Sequence, residues 1–362
     1  MIPQRFPLSI QTDILVSPFT TINLGGRAKY FAECKTLDNI HEAVNFARQR
    51  HLKLQVLGGG SNIIFSDNGF DGLLVRIMLK GISFSEESGA TVVTSAAGEA
   101  WDLLVQQCVE RGLGGIECLS GIPGLVGATP IQNVGAYGQE VQETVVSVKA
   151  IDRNTLATIE FSTNDCLFGY RQSRFKSGDA DRYIITEVTF RLQNHGRPEI
   201  RYEELRTFIA SSTRLKDLPD GQPALAAVRE AVIALRKRKS MLVDPTDLNS
   251  RSVGSFFTNP ILSREAFAIV EQHWKSMGGD GAVPGFPSGD KIKTSAAWLV
   301  EKTGFVKGYV SGGVGISRNH TLALVNYNGT ALELLTLAGR IQRVVHERFG
   351  VALEREPVVV AE

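Results

Sequence analysis

At 362 residues the chain is longer than one hydrophobic core usually serves, which points to two or three domains and leaves room to bury a cofactor. Its 39 Lys and Arg balance 38 Asp and Glu, so no global charge draws it to nucleic acid or an anionic membrane, and an anionic ligand must be met by a local cluster. No run approaches the roughly 18 apolar residues of a spanning helix, and the N-terminus lacks a basic-then-apolar leader, so a cytoplasmic protein without a membrane partner is expected.

Cys34, Cys108, Cys118 and Cys166 contain no Cys-x-x-Cys pair and the histidines show no ligand spacing. Neither disulfides nor a metal site is expected, and each cysteine reads as a small buried apolar residue. Along the chain, Gly25-Gly26 reads as a turn into a strand through Phe31. Leu37, Ile40, Val44 and Ala47 then recur at helical spacing behind Thr36 as N-cap, and the pattern stops at Arg50-His51.

The strand Leu52 to Leu57 runs into Gly58-Gly59-Gly60-Ser61-Asn62. Three glycines after a strand let the backbone approach a ligand and turn N–H groups onto a phosphate, with Ser61 and Asn62 adding donors. The spacing is not Gly-x-Gly-x-x-Gly, and Ile63 onward reads as strand and turn, so the usual dinucleotide fingerprint does not apply. A tight strand connection accounts for the same residues. Strands at Leu73–Ile77 and Thr91–Thr94 precede a helix that presents Trp101, Leu104, Val105 and Cys108 on one face and ends at Gly112.

Residues 119–138 are glycine-rich and almost without charge, unlike a solvated loop. They suit backbone laid against a flat ligand whose edges meet amides, Ser120, Thr129, Gln132 and Asn133. After strands from Val146 and Ala157, the segment Tyr170-Arg171-Gln172-Ser173-Arg174-Phe175-Lys176 gathers three cations and a phenol. It fits either an anionic ligand or a solvated basic turn.

The strand Tyr183 to Leu192 leads to a polar segment ending at Arg201-Tyr202-Glu203, and Pro223 opens a helix through Arg238. Its last turn, Arg236-Lys237-Arg238-Lys239, complements the helix dipole and equally suits a phosphate. In Gly254-Ser255-Phe256-Phe257-Thr258-Asn259-Pro260 small residues precede a rigid aromatic pair, which reads as a turn between core strands or as a hydroxyl aimed into a cavity. A helix from Arg264 to Trp274, an N-cap at Ser295, a strand from Leu322 to Asn326 and a long helix ending near Gly350 follow. The last stretch, Leu353 to Val360, reads as a strand with Glu354 and Glu356 on one face. The likeliest domain breaks fall near residues 80 and 240.

Together these segments resemble the UDP-N-acetylenolpyruvoylglucosamine reductases, flavoenzymes of peptidoglycan precursor synthesis. The landmarks are Gly58–Asn62, Gly121-Ile122-Pro123-Gly124, Pro130–Gly138, Gly169-Tyr170-Arg171, Gly254–Pro260, Ser295–Leu299 and Leu353–Glu356. The resemblance implies an α+β protein: a two-subdomain FAD-binding fold of the vanillyl-alcohol-oxidase kind, residues 1–80 and 81–240, with the C-terminal strand 351–362 returning to the second subdomain. Residues 241–350 would form an α+β substrate-binding domain.

It also implies non-covalent FAD, held by Gly58, Gly59, Gly60, Ser61, Asn62, Ser120, Gly121, Gly124, Gly127, Thr129, Gln132, Asn133, Gly135 and Tyr137. NADPH would be the hydride donor and leave before a small nucleotide-sugar substrate binds, in a monomer with no nucleic-acid partner. In the implied reaction Arg171 and a protonated Glu356 stabilise an aci-form intermediate and Ser255 delivers the proton. Tyr202 would close over the substrate diphosphate, as in the longer members of the family, with Tyr170, Lys239, Asn259, Lys307 and His320 as further substrate contacts. Thr20-Thr21 stands where Asn-Thr is more usual, and Pro357 follows Glu356 in place of an apolar strand residue. A flavin oxidase on the same cofactor fold would need no proton donor placed like Ser255, and a nucleotide-sugar binding protein would hold no flavin.

Overall fold

A computed structural model describes residues 7–211 and 218–360 of the chain. It divides into two compact units, one of Met1–Ile14, Ala28–Gly60 and Phe70–Leu242, the other of Leu15–Arg27, Ser61–Gly69 and Val243–Glu362.

Among the described residues the first unit holds two larger sheets and a short two-stranded one at Gly135–Glu140. In one, the strand order is Ile10–Leu15, Arg27–Cys34, Phe70–Ile77, Lys53–Leu57, with the last three parallel. Parallel neighbours need a crossover, and helix α1 (Leu37–Gln49) supplies it. Thr36 caps that helix by accepting the Asn39 N–H, and Ile40, Val44 and Ala47 are buried, as their spacing requires. The other sheet is antiparallel, ordered Thr158–Ser162, Val145–Asp152, Tyr183–Asn194, Ala90–Ala96, Ile82–Glu87. Helix α2 (Trp101–Glu110) contributes Trp101, Leu104 and Val105 to a hydrophobic cluster that takes in both sheets. Helices α3 (Glu203–Ala210) and α4 (Gln222–Arg238) bury Leu205, Val228, Val232 and Leu235 around Cys118 in a smaller cluster.

In the second unit, Ser252–Ser255, Ala323–Asn326, Val314–Ile316 and Val310–Ser311 make an antiparallel sheet. Helices α5 (Arg264–Ser276), α6 (Ala296–Lys302) and α7 (Ala331–Phe349) share its core, where Leu334, Leu337, Ile341 and Val345 of α7 are buried. Gly350 ends α7 in the left-handed conformation at φ 71°.

One expectation is corrected here. The C-terminal strand does not join the sheet of residues 81–240; Val358–Val360 runs parallel to Ile63–Phe65 inside the second unit. Ile63, Ile64 and Phe65 are buried, and their backbone needs a partner. Val358 donates to the Asn62 carbonyl and Ser66 to that of Val360, each end of the pairing being closed. The strand is also shorter than expected, because Pro357 has no N–H to extend a ladder and Arg355 instead makes an isolated bridge to Phe257. Residues 361–362 of the segment lie outside the described residues.

All four cysteines are free and fully buried. Burial pushes the thiols of Cys34, Cys108 and Cys166 up to about 12 and raises that of Cys118 as well. We expect a thiol reagent at neutral pH to label the native protein at least about 10²-fold more slowly than the unfolded chain, since the thiolate is the nucleophile. Rapid labelling of any one cysteine in the folded protein would contradict that placement.

Candidate active site

In the first unit two glycine segments press backbone on backbone. A Cβ on Gly59 would lie 2.6 Å from the Gly124 Cα and 3.1 Å from its carbonyl carbon. A Cβ on Gly127 would lie 2.5 Å from the Ala97 Cβ. Gly60, Gly121 and Gly124 have φ of 66°, 70° and 124°, values that disfavour any residue with a Cβ. Loops brought this close with little side chain between them present bare peptide groups, the chemistry that a diphosphate and a flat ring call for.

The Gly121 turn is held from behind. Its N–H donates to Asp102 Oδ1 at 2.6 Å, and Arg229 grips the same carboxylate with Nη1 and Nη2 at 2.5 and 2.8 Å. Burial works against the charge, yet the bonds from Arg229 and Gly121 hold the Asp102 carboxyl below its ordinary value. Arg236, 7% exposed, donates from Nε to the Gly121 carbonyl and from Nη2 to that of Met241. Arg236 therefore faces inward rather than serving a solvated helix end, and its position four residues after Val232 on the apolar side of α4 was the available signal.

Several residues expected at the flavin use their side chains within the loop. Ser120 donates its hydroxyl to the Glu117 carbonyl at 2.6 Å and Thr129 donates to that of Val126 at 2.8 Å. The Asn133 side chain bonds to protein atoms described below. Gly135–Ala136 pairs with Gln139–Glu140 across a two-residue turn, Tyr137-Gly138, both left-handed at 49° and 87°. Gln132 lies half-buried in the same loop.

That hairpin organises three further expected residues. Tyr137 and Tyr202 stack edge to face at 5.5 Å, and Lys239 Nζ lies 5.8 Å from the Tyr137 ring centre. Glu204, on the first turn of α3, pairs with Lys239, a partner invisible from the sequence because it lies on a separate helix. Burial pushes the Tyr137 phenol up to about 12, and burial with the nearby Glu204 raises that of Tyr202, so both remain hydrogen-bond donors at neutral pH. Arg171 stands at the third position of a tight turn closed by Gly169 and Gln172, at φ 55°, with the Tyr170 ring centre 5.2 Å from its guanidinium. Its Nη2 donates to the Gly135 carbonyl at 2.5 Å.

In the second unit Ser255 and Glu356 come together. Ser255 ends the strand Ser252–Ser255, opposite Ala323, while Ser252 is opposite Val325. One extra residue on the Ser255 side makes a bulge, and Gly254 absorbs it at φ 77°. Phe256 and Phe257 behind it are 0% and 2% exposed and lie edge to face at 5.2 Å. The Glu356 N–H donates to the Phe256 carbonyl at 2.9 Å and the Thr258 N–H to that of Glu354 at 3.0 Å. Glu356 is therefore fixed one residue across from Ser255, half-buried, while Glu354 is exposed. Asn62 Nδ2 reaches the Glu356 carbonyl at 3.4 Å, so this expected phosphate donor also braces the Glu356 strand.

Thr21 ties the loop before the first glycine pair to the same region, donating to the Ser252 carbonyl at 2.6 Å. Asn259 accepts the Ala296 N–H through Oδ1 at 3.0 Å, at the start of α6, which leaves its amide NH₂ side for another partner. Gly308 donates to the Ile316 carbonyl at 3.2 Å, which sets Lys307 beside the turn holding Ser317 and His320. Among the described residues no cluster of His, Cys, Asp and Glu could hold a metal, and no helix is long and apolar enough to cross a membrane.

Residues 28–156, which include both glycine segments, match the FAD binding domain family and mark the chain as an FAD-dependent oxidoreductase. Residues 244–360 match the family described as UDP-N-acetylenolpyruvoylglucosamine reductase, C-terminal domain. Proteins of that name from Thermobifida fusca and Pseudomonas syringae are 44% and 40% identical to this chain, over 97% of it and 98% of each relative. One from Mycobacterium tuberculosis is 39% identical over 95% of this chain and 94% of its own. The chain belongs to the UDP-N-acetylenolpyruvoylglucosamine reductase family. The crystal structure of the Thermus caldophilus reductase shares the fold, with a TM-score of 0.65 at 23% identity, over 97% of this chain and 99% of that one.

Proposed function

We propose that this chain reduces the enolpyruvyl group of UDP-N-acetylglucosamine enolpyruvate to give UDP-N-acetylmuramate, acting as a cytoplasmic monomer on a free nucleotide sugar. When bound, FAD supplies the hydride, drawn from NADPH and delivered to the terminal carbon of the enolpyruvyl double bond. Gly58, Gly59, Gly60, Ser61 and Asn62 with Ser120, Gly121, Gly124, Gly127, Thr129, Gln132, Gly135 and Tyr137 would hold it non-covalently.

The chain's own residues then meet the charge and the proton. Hydride addition at one carbon loads negative charge on the substrate carboxylate, and the Arg171 guanidinium opposes that charge with a group that never deprotonates near neutrality. Glu356 assists as a protonated carboxyl donating a hydrogen bond. Ser255 gives its hydroxyl proton to the carbon next to the carboxylate, and solvent restores it. A free serine is a weak acid, so the step depends on a strongly basic carbon and a fixed approach. Tyr202 would close over the substrate diphosphate, with Lys239 and Lys307 as its cations and Tyr170, Asn259 and His320 as further contacts.

The observation that best supports this reading is the backbone hydrogen bond from the Glu356 N–H to the carbonyl of Phe256, the residue that follows Ser255, which brings Glu356 beside Ser255 from a distant part of the sequence. The experiment is anaerobic. NADPH should bleach the yellow enzyme, and the enolpyruvyl nucleotide sugar should restore the colour with stoichiometric UDP-N-acetylmuramate. A bleached enzyme that stays colourless with substrate but recovers with oxygen would point to an oxidase instead.

A further inference from the structure

Asn133 is fully buried and left-handed, at φ 46°. Its Nδ2 donates to the Gly169 carbonyl at 2.9 Å and to Glu140 Oε2 at 2.7 Å, and its Oδ1 accepts the Gln142 N–H at 3.1 Å. Both amide protons are therefore committed to the protein, and the carbonyl accepts from it as well. The Gly169 carbonyl also accepts the Gln172 N–H at 3.1 Å and so closes the turn whose tip is Tyr170-Arg171.

That turn needs outside support. Arg171 carries a Cβ in a region that residues other than Gly, Asn and Asp rarely occupy, and such a conformation persists when neighbouring structure enforces it. Three ties run from the loop of residues 131–142 to it. Asn133 holds the Gly169 carbonyl, Ser173 Oγ donates to the Ile131 carbonyl at 2.5 Å, and Arg171 Nη2 donates to the Gly135 carbonyl at 2.5 Å. Gly135 is placed so that a Cβ would lie 3.0 Å from Arg171 Nη1 and 2.7 Å from the Glu140 Cγ. Asn133 thus bonds both to the turn that carries Arg171 and, through Glu140, to the strand opposite Gly135, which receives the guanidinium.

We infer that Asn133 is a positioning residue for Arg171: its buried amide fixes the Gly169–Gln172 turn, and with it the direction of the guanidinium. The inference rests on the role given to Arg171 above. A displacement near 1 Å in a reacting constellation costs up to about 10²-fold in rate, so Asn133→Ala should slow flavin reoxidation by the enolpyruvyl substrate by about 10- to 10²-fold.

A double-mutant cycle tests this. Reoxidation is measured by stopped flow in Asn133→Ala, Arg171→Ala and the double variant, with visible spectra and FAD titration of each apoprotein alongside. The double variant should be no slower than Arg171→Ala alone, and Asn133→Ala should bind FAD with unchanged affinity and spectrum. Additive losses would show that Asn133 acts apart from Arg171 and overturn the inference. Weakened FAD binding would return Asn133 to the cofactor and overturn it too. If Arg171→Ala alone leaves reoxidation unchanged, the role of Arg171 fails first and the inference falls with it. Asn133→Gly, which suits the left-handed backbone, carries the same measurements where the Ala variant does not fold.

Discussion

Ser255→Ala should leave NADPH reduction of the bound flavin intact and slow reoxidation by the enolpyruvyl substrate by about 10² to 10⁴-fold, the range a positioned general acid contributes. The substitution is clean. Among the described residues the Ser255 hydroxyl has no hydrogen-bond partner, so its loss leaves no protein group unsatisfied and the melting temperature should not move. What remains is the device that aims it: the bulge after Ser252, Gly254 at φ 77°, and the Phe256–Phe257 pair locked in the core.

A second variant separates aim from acidity. Gly254→Ala keeps the hydroxyl but forces a Cβ into the left-handed region, at a cost of about 1–3 kcal/mol, and should slow the same half-reaction through misplacement while lowering stability. Ser255→Cys keeps a donor of lower pKa at the same backbone position and should fall less far than Ala. Equal slowing of both half-reactions in Ser255→Ala would remove the residue from proton delivery and leave it a general structural part.

The elements were legible where the signal is local. Thr36 and Ser295 act as caps and Gly350 as a stop because each satisfies orphan groups within one turn of its own helix. The helical spacing of Leu225, Val228, Val232 and Leu235 likewise places α4, and read one step further it places Arg236 inside. The glycine segments announced close backbone approach, and Gly59 lies against the backbone of Gly124.

What stayed hidden depends on distant partners. No feature of Val358–Val360 says that it will pair with Ile63–Phe65, because parallel pairing across nearly three hundred residues leaves no local pattern. The side-chain partners of Asn133 were hidden for a related reason. A buried amide in a polar, glycine-rich loop looks the same on paper whether it meets a ligand or another loop, and nothing local points to the Gly169 carbonyl thirty-six residues away. Tyr137, Tyr202 and Lys239 were each picked out singly, whereas their grouping, and the Glu204 partner of Lys239, required the folded hairpin and α3.

Gly59→Ala should cripple FAD retention, whereas Gly58→Ala should disturb the apoprotein little, although the two glycines are neighbours in one run. A Cβ on Gly58 meets the Ala128 Cβ at 3.7 Å, an ordinary contact, while one on Gly59 meets Gly124 at 2.6, 3.1 and 3.4 Å to Cα, C and N. Those are backbone atoms, and a backbone cannot swing aside as a side chain can. One of the two loops must therefore shift, and forced overpacking of this kind costs about 1–3 kcal/mol. If the shift disturbs the cofactor site, affinity falls by about 5- to 150-fold at 1.4 kcal/mol per tenfold. Two measurements separate the steric effect from direct contact with the cofactor. Thermal melting of the apoproteins should show Gly59→Ala lower by several degrees and Gly58→Ala close to the parent. FAD titration should then show a loss in Gly59→Ala that a melting difference alone accompanies. Apoproteins that melt alike, with equal FAD losses in both variants, would mean that the contact between the loops does not set the cofactor site.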